Sequence, residues 1–459
     1  MSTRMITGRP VSLARFARAK GGNVAAMFAI ALVPILGFVG AAVDYSRANS
    51  ARSAMQGALD SAALMVSKDI GAAPANAPLS STEITDRARR YFNALYTSKD
   101  AVVTSFSANY TANTGKGATV ALSGAGDVTT DFMKIMGIKK MTIDGGSTTT
   151  WGGTRMRVAM ALDVTGSMND DGKLAAMKTA AKSLVASLQK SMTNVEDVYL
   201  AIIPFAQMVN VGNSNVNANW IKWDLYEAAN GSCSKSSYDS KSECESNGRT
   251  WTPAGRSSWN GCVTDRDQPA DTTKAAPTTA PTYYPAFQYA QCPAQILPMT
   301  SVYTYKIDDD THVVNKKINS LVAQGGTNQP IGMAWAWQAL QPGVPLNTPA
   351  KDPKWTYTDV VILLSDGQNT IDRWYGNGSS YSPQVDARQT ILCNNMKTTT
   401  NNVRDTLIYT IQVNTDNDPE SAVLKACGDS GFFPTSTSSG IATAFNAISA
   451  SLNQLRVAK

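Results

Sequence analysis

Two short stretches place oxygen-bearing side chains at spacings that suit a hard cation. Asp163-Val-Thr165-Gly-Ser167 offers a carboxylate and two hydroxyls at alternate positions, so one tight turn can aim three oxygens the same way. Asp366-Gly367 supplies a second carboxylate directly after the apolar run Val-Ile-Leu-Leu-Ser. Mg²⁺ (or Mn²⁺) fits such a set best: it takes oxygen ligands, is satisfied by one or two carboxylates and keeps several waters. Those waters leave a position open to an oxygen from a partner. The rival reading is that Asp163 and Asp366 only cap turns. His312 is the sole histidine, which excludes multi-histidine metal sites and makes a histidine-based triad improbable. It is expected in solvent, in the first turn of a helix. With no nucleophile paired to a base, catalysis has only the metal's open position to work with, and no enzyme is expected.

The elements that must hold these residues alternate. Residues 158–162, 198–205, 360–364 and 407–413 are short apolar runs without period-two polarity, as expected of strands covered on both faces. Helices are predicted at 173–190, with Leu174, Met177, Ala181, Leu184 and Leu188 on one face, at 330–340 and at 441–455. This alternation predicts an α/β fold with a doubly wound, mostly parallel sheet. Ligands then gather beyond the C-terminal strand ends, where both aspartates fall. Residues 207–310 interrupt the alternation. This stretch is polar, carries four of the six cysteines and four of the nine tryptophans, and is expected to be a disulfide-stapled, Cys-rich insertion. A smaller interruption, 373–386, carries Trp374, Tyr375 and Tyr381. These aromatics either face a partner beside the metal or, the favoured reading, close small cores of the insertions themselves.

At 459 residues with 43% hydrophobic content the chain is too long for one core. Charged residues are 17% and the net charge +6, with no basic block beyond the N-terminus, so no nucleic-acid partner is expected. All six cysteines lie after residue 230, and an even number in an oxidising compartment implies disulfides. Proximity favours pairing among Cys233, Cys244, Cys262 and Cys292, and Cys393 with Cys427.

Residues 24–43 form a run of 20 without a charge. At about 1.5 Å per residue it spans roughly 30 Å, the thickness of a bilayer's hydrocarbon core. Arg4, Arg9, Arg15, Arg18 and Lys20 precede it and the first acid is Asp44, so the N-terminus is expected to stay cytoplasmic. Cleavage after Ala42 is the alternative, but the run is longer than the about 7–15 residues of a signal h-region. Residues 44–70 continue as a helix. Ala48, Ala51, Met55, Leu59, Ala62, Val66 and Ile70 make an apolar stripe, for a partner helix or for the downstream module. A hinge at 71–81 and a short helix at 84–95 follow. Alternating segments around 102–106, 119–122 and 141–143 then predict a small α+β module over 82–150.

Asp163-Val-Thr165-Gly-Ser167 resembles the metal-ion-dependent adhesion site of von Willebrand factor type A domains. The resemblance implies that Asp163, Thr165 and Ser167 are ligands. It adds Thr327, in Gly325-Gly-Thr-Asn328, and Asp366, in Ser365-Asp-Gly367. It also implies such a domain over 155–459, binding an acidic side chain of a protein partner. A second resemblance joins the chain ends. Gly22-Asn-Val-Ala-Ala-Met-Phe-Ala-Ile-Ala-Leu-Val-Pro34, running to Ala42-Val-Asp-Tyr-Ser-Arg47, is similar to TadE/TadG-like Tad (Flp) pilus assembly proteins. Trp259-Asn-Gly-Cys-Val263 and the tail from Ala444 resemble TadG-like chains with such an A domain. Expected, then, are a cytoplasmic tail (1–21), an anchor and membrane-proximal helix (22–70), and a bulk in the periplasm or reaching the outer membrane. The protein would be a single-pass inner-membrane component that helps assemble or anchor bacterial pili with other pilus assembly proteins. The runner-up is a surface adhesin independent of pili. A pilin itself is disfavoured: five residues after Gly22, where a prepilin needs Glu, stands Met27.

Overall fold

The computed structural model describes residues 23–73, 79–112, 117–151, 154–192, 194–400, 403–415 and 418–457. The basic tail 1–21, Gly22 and residues 74–78 of the expected hinge lie outside the described residues. The chain is mixed α/β and divides into two units, one drawn mainly from residues before 150 and one from those after it.

The first unit opens with α1 (Asn23–Ala72), one helix of 50 residues unbroken through Pro34. Its first half is long and apolar enough to cross a membrane, and its apolar side chains are largely uncovered. Beyond Asp44 the stripe Ala48, Ala51, Met55, Leu59, Ala62 and Val66 is buried. Met55 and Leu59 of this stripe lie against Gly124, Gly126 and Gly145 of the unit's own strands. α2 (Ser81–Leu95) starts on a capping box between Ser80 and Glu83 and buries Ile84, Ala88 and Phe92. β1 (Ala101–Thr111), β2 (Ala118–Thr129) and β3 (Lys140–Trp151) form a three-stranded sheet with β2 central, and β1 runs antiparallel to β2. Glycines let helix and sheet approach closely: a Cβ on Gly145 would lie 3.2 Å from Leu59 Cδ1, and one on Gly126 3.3 Å from Met55 Cε. Gly71 and Ala72, at the start of the expected hinge, are still helical.

The second unit runs β4 (Thr154–Asp163), α3 (Lys173–Lys190), β5 (Val198–Phe205), β6 (Leu297–Ser301), α4 (Gln329–Ala339) and β7 (Thr356–Ser365). It continues with α5 (Pro383–Met396), β8 (Leu407–Val413), α6 (Ala422–Cys427), β9 (Gly431–Thr435) and α7 (Gly440–Val457). Five strands lie parallel in the order β5-β4-β7-β8-β9. Beyond β5 the sheet is extended by antiparallel β6 and by the short pair Val209–Asn210 and Cys262–Val263. Every residue of β4 is buried. Its side chains alternate between two cores. Val158, Met160 and Leu162 meet α3 and α7 on one face, and Ala159 and Ala161 meet the α4, α5 and α6 side on the other.

The disulfides are Cys233–Cys244, Cys262–Cys292 and Cys393–Cys427, with Cα separations of 5.7, 5.8 and 5.3 Å. The last ties α5 to α6. Two expectations need correction. Five of the buried aromatics of 207–310 do not close a core of their own. Trp220, Trp223, Tyr226, Trp259 and Tyr284 join the main core around Trp335 of α4, and the Tyr284 and Trp335 rings lie 4.2 Å apart. The strong gain from burying an aromatic ring favours this merger with the sheet's existing apolar face. His312 is not in a helix's first turn: it is the N-cap of Val313–Asn319, half-buried, its Nδ1 accepting the Val314 amide.

Candidate functional site

β4 and β7 are neighbours in parallel register, Leu162 beside Leu364, which puts Ser365 beside Asp163 and Asp366 at the same rim. Asp163 ends β4, and its Oδ1 accepts the Thr165 amide at 2.8 Å. Thr165 in turn is the N-cap of a 3₁₀ segment, Gly166–Gly172, that carries Ser167 across the strand ends. Ser167 Oγ donates to Asp366 Oδ1 at 2.8 Å, and the Thr165 and Ser167 hydroxyls are 3.3 Å apart. Four of the five residues marked by the sequence therefore meet. Asp163, Thr165 and Asp366 are buried and Ser167 is exposed, so the group opens to solvent through Ser167.

The fifth, Thr327, stands next to this group without bonding to it. Its loop is pinned to the Asp163 loop by backbone bonds, Gly166 N to Gly325 O at 3.0 Å and Gln324 N to Val164 O at 2.7 Å. The hydrogen bonds of Thr327 itself go to Thr370: its amide donates to Thr370 Oγ1 at 2.8 Å and its carbonyl accepts the Thr370 amide at 2.9 Å.

Two residues that the sequence reading did not mark complete the arrangement. Lys173, the first residue of α3, extends its ammonium to within 2.9 Å of Asp366 Oδ2, and both side chains are fully buried. Ser365 donates to Asp163 Oδ2 and accepts from Gln329 Nε2 at 3.0 Å. Gln329 belongs to a buried polar network that includes Asn369 and Gln389. Ser365 had a signal, its place one residue before Asp366. Lys173 had none, since a lysine at a helix start ordinarily lies in water.

Burial pushes the Asp163 carboxyl up, the Asp366 charge adds to this, and the bonds from Ser365 and Thr165 oppose it. Burial likewise raises Asp366, against the bond and charge of Lys173. Two carboxylates against one ammonium leave a deficit of one positive charge, which a proton or a cation can fill. As a donor set, two carboxylates and two hydroxyls fit a hard divalent ion. Lys173 works against that fit, because it already neutralises one carboxylate. Among the described residues no group of three or more His, Cys, Asp or Glu is gathered for a metal, so hydroxyls and water would supply the rest.

The rim beside Thr327 carries exposed aromatics. Trp374, Tyr375 and Tyr381 are uncovered, in the loop that begins at Thr370 and folds back so that Gly378 abuts Gly326. Behind the rim Asp265 is buried and accepts from Asn328 Nδ2 at 2.9 Å and the Arg373 amide at 3.2 Å.

No curated protein matches this chain. Among solved structures, the pilus adhesin SpaC from Lactobacillus rhamnosus GG is similar at 9% identity and a TM-score of 0.36, over 76% of this chain and 34% of that one. The von Willebrand factor domain of the type V pili tip protein Mfa5 from Porphyromonas gingivalis is similar at 11% identity and a TM-score of 0.32, over 66% of this chain and 96% of that one. The pilus adhesin RrgA from Streptococcus pneumoniae is similar at 11% identity and a TM-score of 0.26, over 77% and 49%. The chain spans about a third of the length of the first of these. Residues 22–73, which hold the apolar run, Asp44 and the buried stripe, match the family model described as Flp pilus-assembly TadE/G-like.

Proposed function

We propose that this protein is a membrane-anchored, non-enzymatic assembly or anchoring component of a Tad (Flp) pilus. In this reading α1 crosses the bacterial inner membrane once, with its N-terminus cytoplasmic. The second unit is a doubly wound, von Willebrand factor A-like domain with a Cys-rich insertion at 207–310, held in the periplasm or reaching the outer membrane. Asp163, Thr165, Ser167 and Asp366, with Thr327 adjacent, hold Mg²⁺ or Mn²⁺, and the ion's remaining position takes an acidic side chain from another pilus protein. When bound, the ion supplies a positive charge that a partner's carboxylate can reach. The chain's own part is positional: Ser365 fixes the Asp163 carboxylate, Ser167 holds Asp366, and Lys173 limits the charge the ion must balance.

One observation carries the reading. A pilus-assembly segment at 22–73 stands in the same chain as two buried aspartates and two hydroxyls gathered at adjacent parallel strand ends. The test pairs Mg²⁺ and Mn²⁺ titration of the full chain in detergent with a pilus count on cells, wild type beside Asp163→Ala. Saturable binding that the variant lacks, together with loss of pili, is expected. Normal piliation in cells carrying Asp163→Ala would remove the pilus role from this site.

A further inference from the structure

Resting on the reading of α1 as a membrane anchor, we propose that residues 132–140 form a second membrane contact, inserted at the acyl–headgroup boundary of the leaflet through which α1 leaves the bilayer.

The segment carries apolar side chains that its unit leaves half to largely uncovered. Phe132 is 48% exposed, Ile135 83%, Met136 62% and Ile138 43%. Lys134, Lys139 and Lys140 are interleaved with them. Their carboxylate neighbours lie on the unit side: Asp131 is 3.8 Å from Lys134, and Asp127 is 3.2 Å from Lys140. Apolar tips beside lysines that can snorkel match an interfacial zone, where side chains need hydrocarbon on one side and headgroups on the other.

Its position in the fold selects the occupant. Asp44, the first acidic residue of the chain and one past the uncharged run, accepts three consecutive backbone amides: Asp131 at 3.0 Å, Phe132 at 2.9 Å and Met133 at 2.7 Å. Arg47 adds a bond to Asp131 at 2.6 Å. One turn earlier, Phe132 lies flat on Gly40, so close that a Cβ there would come within 2.5 Å of Phe132 Cβ. The segment closes on itself through Thr130, whose amide reaches Lys139 O at 3.2 Å, and through a left-handed Gly137 with φ of 90°. It is thereby clamped to the last turn of the apolar run, whose own side chains are likewise exposed. The same arrangement explains why an aspartate directly follows the run: its carboxylate is consumed by the clamp rather than left at the membrane surface.

All six native cysteines are disulfide-bonded, so an introduced thiol can be labelled alone. The full chain is reconstituted in phosphatidylethanolamine–phosphatidylglycerol vesicles with a nitroxide at Ile135→Cys. Val33→Cys in α1 and exposed Asn109→Cys in β1 serve as controls. Collision rates with oxygen, which favours lipid, and with a water-soluble nickel chelate are then compared. Ile135→Cys is expected to resemble Val33→Cys, with several-fold higher oxygen than nickel accessibility, and Asn109→Cys to show the reverse. A water-like Ile135→Cys beside a lipid-like Val33→Cys overturns this proposal and leaves the anchor standing. A water-like Val33→Cys overturns the anchor reading itself. An Ile135→Cys label shielded from both reagents means a protein surface covers the segment, and also overturns the proposal.

Discussion

Lys173 Nζ lies 2.9 Å from Asp366 Oδ2 with both side chains sealed from water. Removing one partner of such a pair leaves a charge without its counterion and costs about 3–5 kcal/mol. Lys173→Met is therefore expected to melt well below wild type in the absence of divalent ions. It should recover part of that loss as Mg²⁺ is added, and more than wild type gains. Calorimetric melts across a Mg²⁺ series check this, and a variant indifferent to Mg²⁺ and Mn²⁺ would argue against a cation at Asp366.

Ser365 both donates to Asp163 and accepts from Gln329 in a buried setting. Ser365→Ala takes one bond from each partner, at about 1–3 kcal/mol, while Gln329 keeps Gly367 O and Asp163 keeps the Thr165 amide. The expected result is a lower denaturant midpoint with unchanged slope, and weaker metal binding because the Asp163 carboxylate loses its orienting bond. Unchanged stability together with unchanged metal affinity would show that Ser365 does not position Asp163.

Asp265 offers a pH prediction away from that group. Burial pushes its carboxyl up to about 7, helped by the nearby Asp372 charge and opposed by the Asn328 bond. An unfolded aspartate titrates near about 3.9. A folded value above the unfolded one favours the protonated form, so its contribution is present at acid pH and is lost as pH rises through about 7. Asp265→Asn keeps an acceptor for Asn328 and the Arg373 amide and never ionises. Between pH 5 and pH 8 its melting temperature should fall less than that of wild type, because Asp163 and Asp366 still titrate in both and only Asp265 is removed, a divergence that parallel thermal melts will read.

Gly332 of α4 faces Phe205 of β5 so closely that a Cβ would come within 2.4 Å of the ring. Gly332→Ala should gain helix propensity but lose more to overpacking, about 1–3 kcal/mol net of relaxation. A more stable variant in chemical denaturation would mean that the ring swings aside without cost.

The central strands were readable because burial on both faces removes polar residues and leaves runs such as Val158-Ala-Met-Ala-Leu162. Asp163, Ser167 and Asp366 were readable because strand ends bring such residues together from separate parts of a sequence. Besides the two-residue strands at 209–210 and 262–263, two longer strands of this sheet show no such pattern. β9 is a half-exposed edge strand containing Pro434, and β6 carries Pro298 at the other side of the sheet, so neither shows an apolar run. The tryptophans of 207–310 were visible, but their destination depended on Trp335, far along the chain, and no local pattern encodes that. Lys173 was misleading for the same reason: its partner, Asp366, is 193 positions away.

The 50 residues of α1 make a rod of about 75 Å with no joint between its bare half and its covered half. Asp44 and Arg47 rivet residues 131–133 to it just past the uncharged run, and Met55 and Leu59 seat the sheet further along. The strands β1–β3 and the bare half are thus held by one and the same helix. If α1 is the anchor proposed above, a tilt of its bare half is passed along one continuous helix to the three strands seated on its other half.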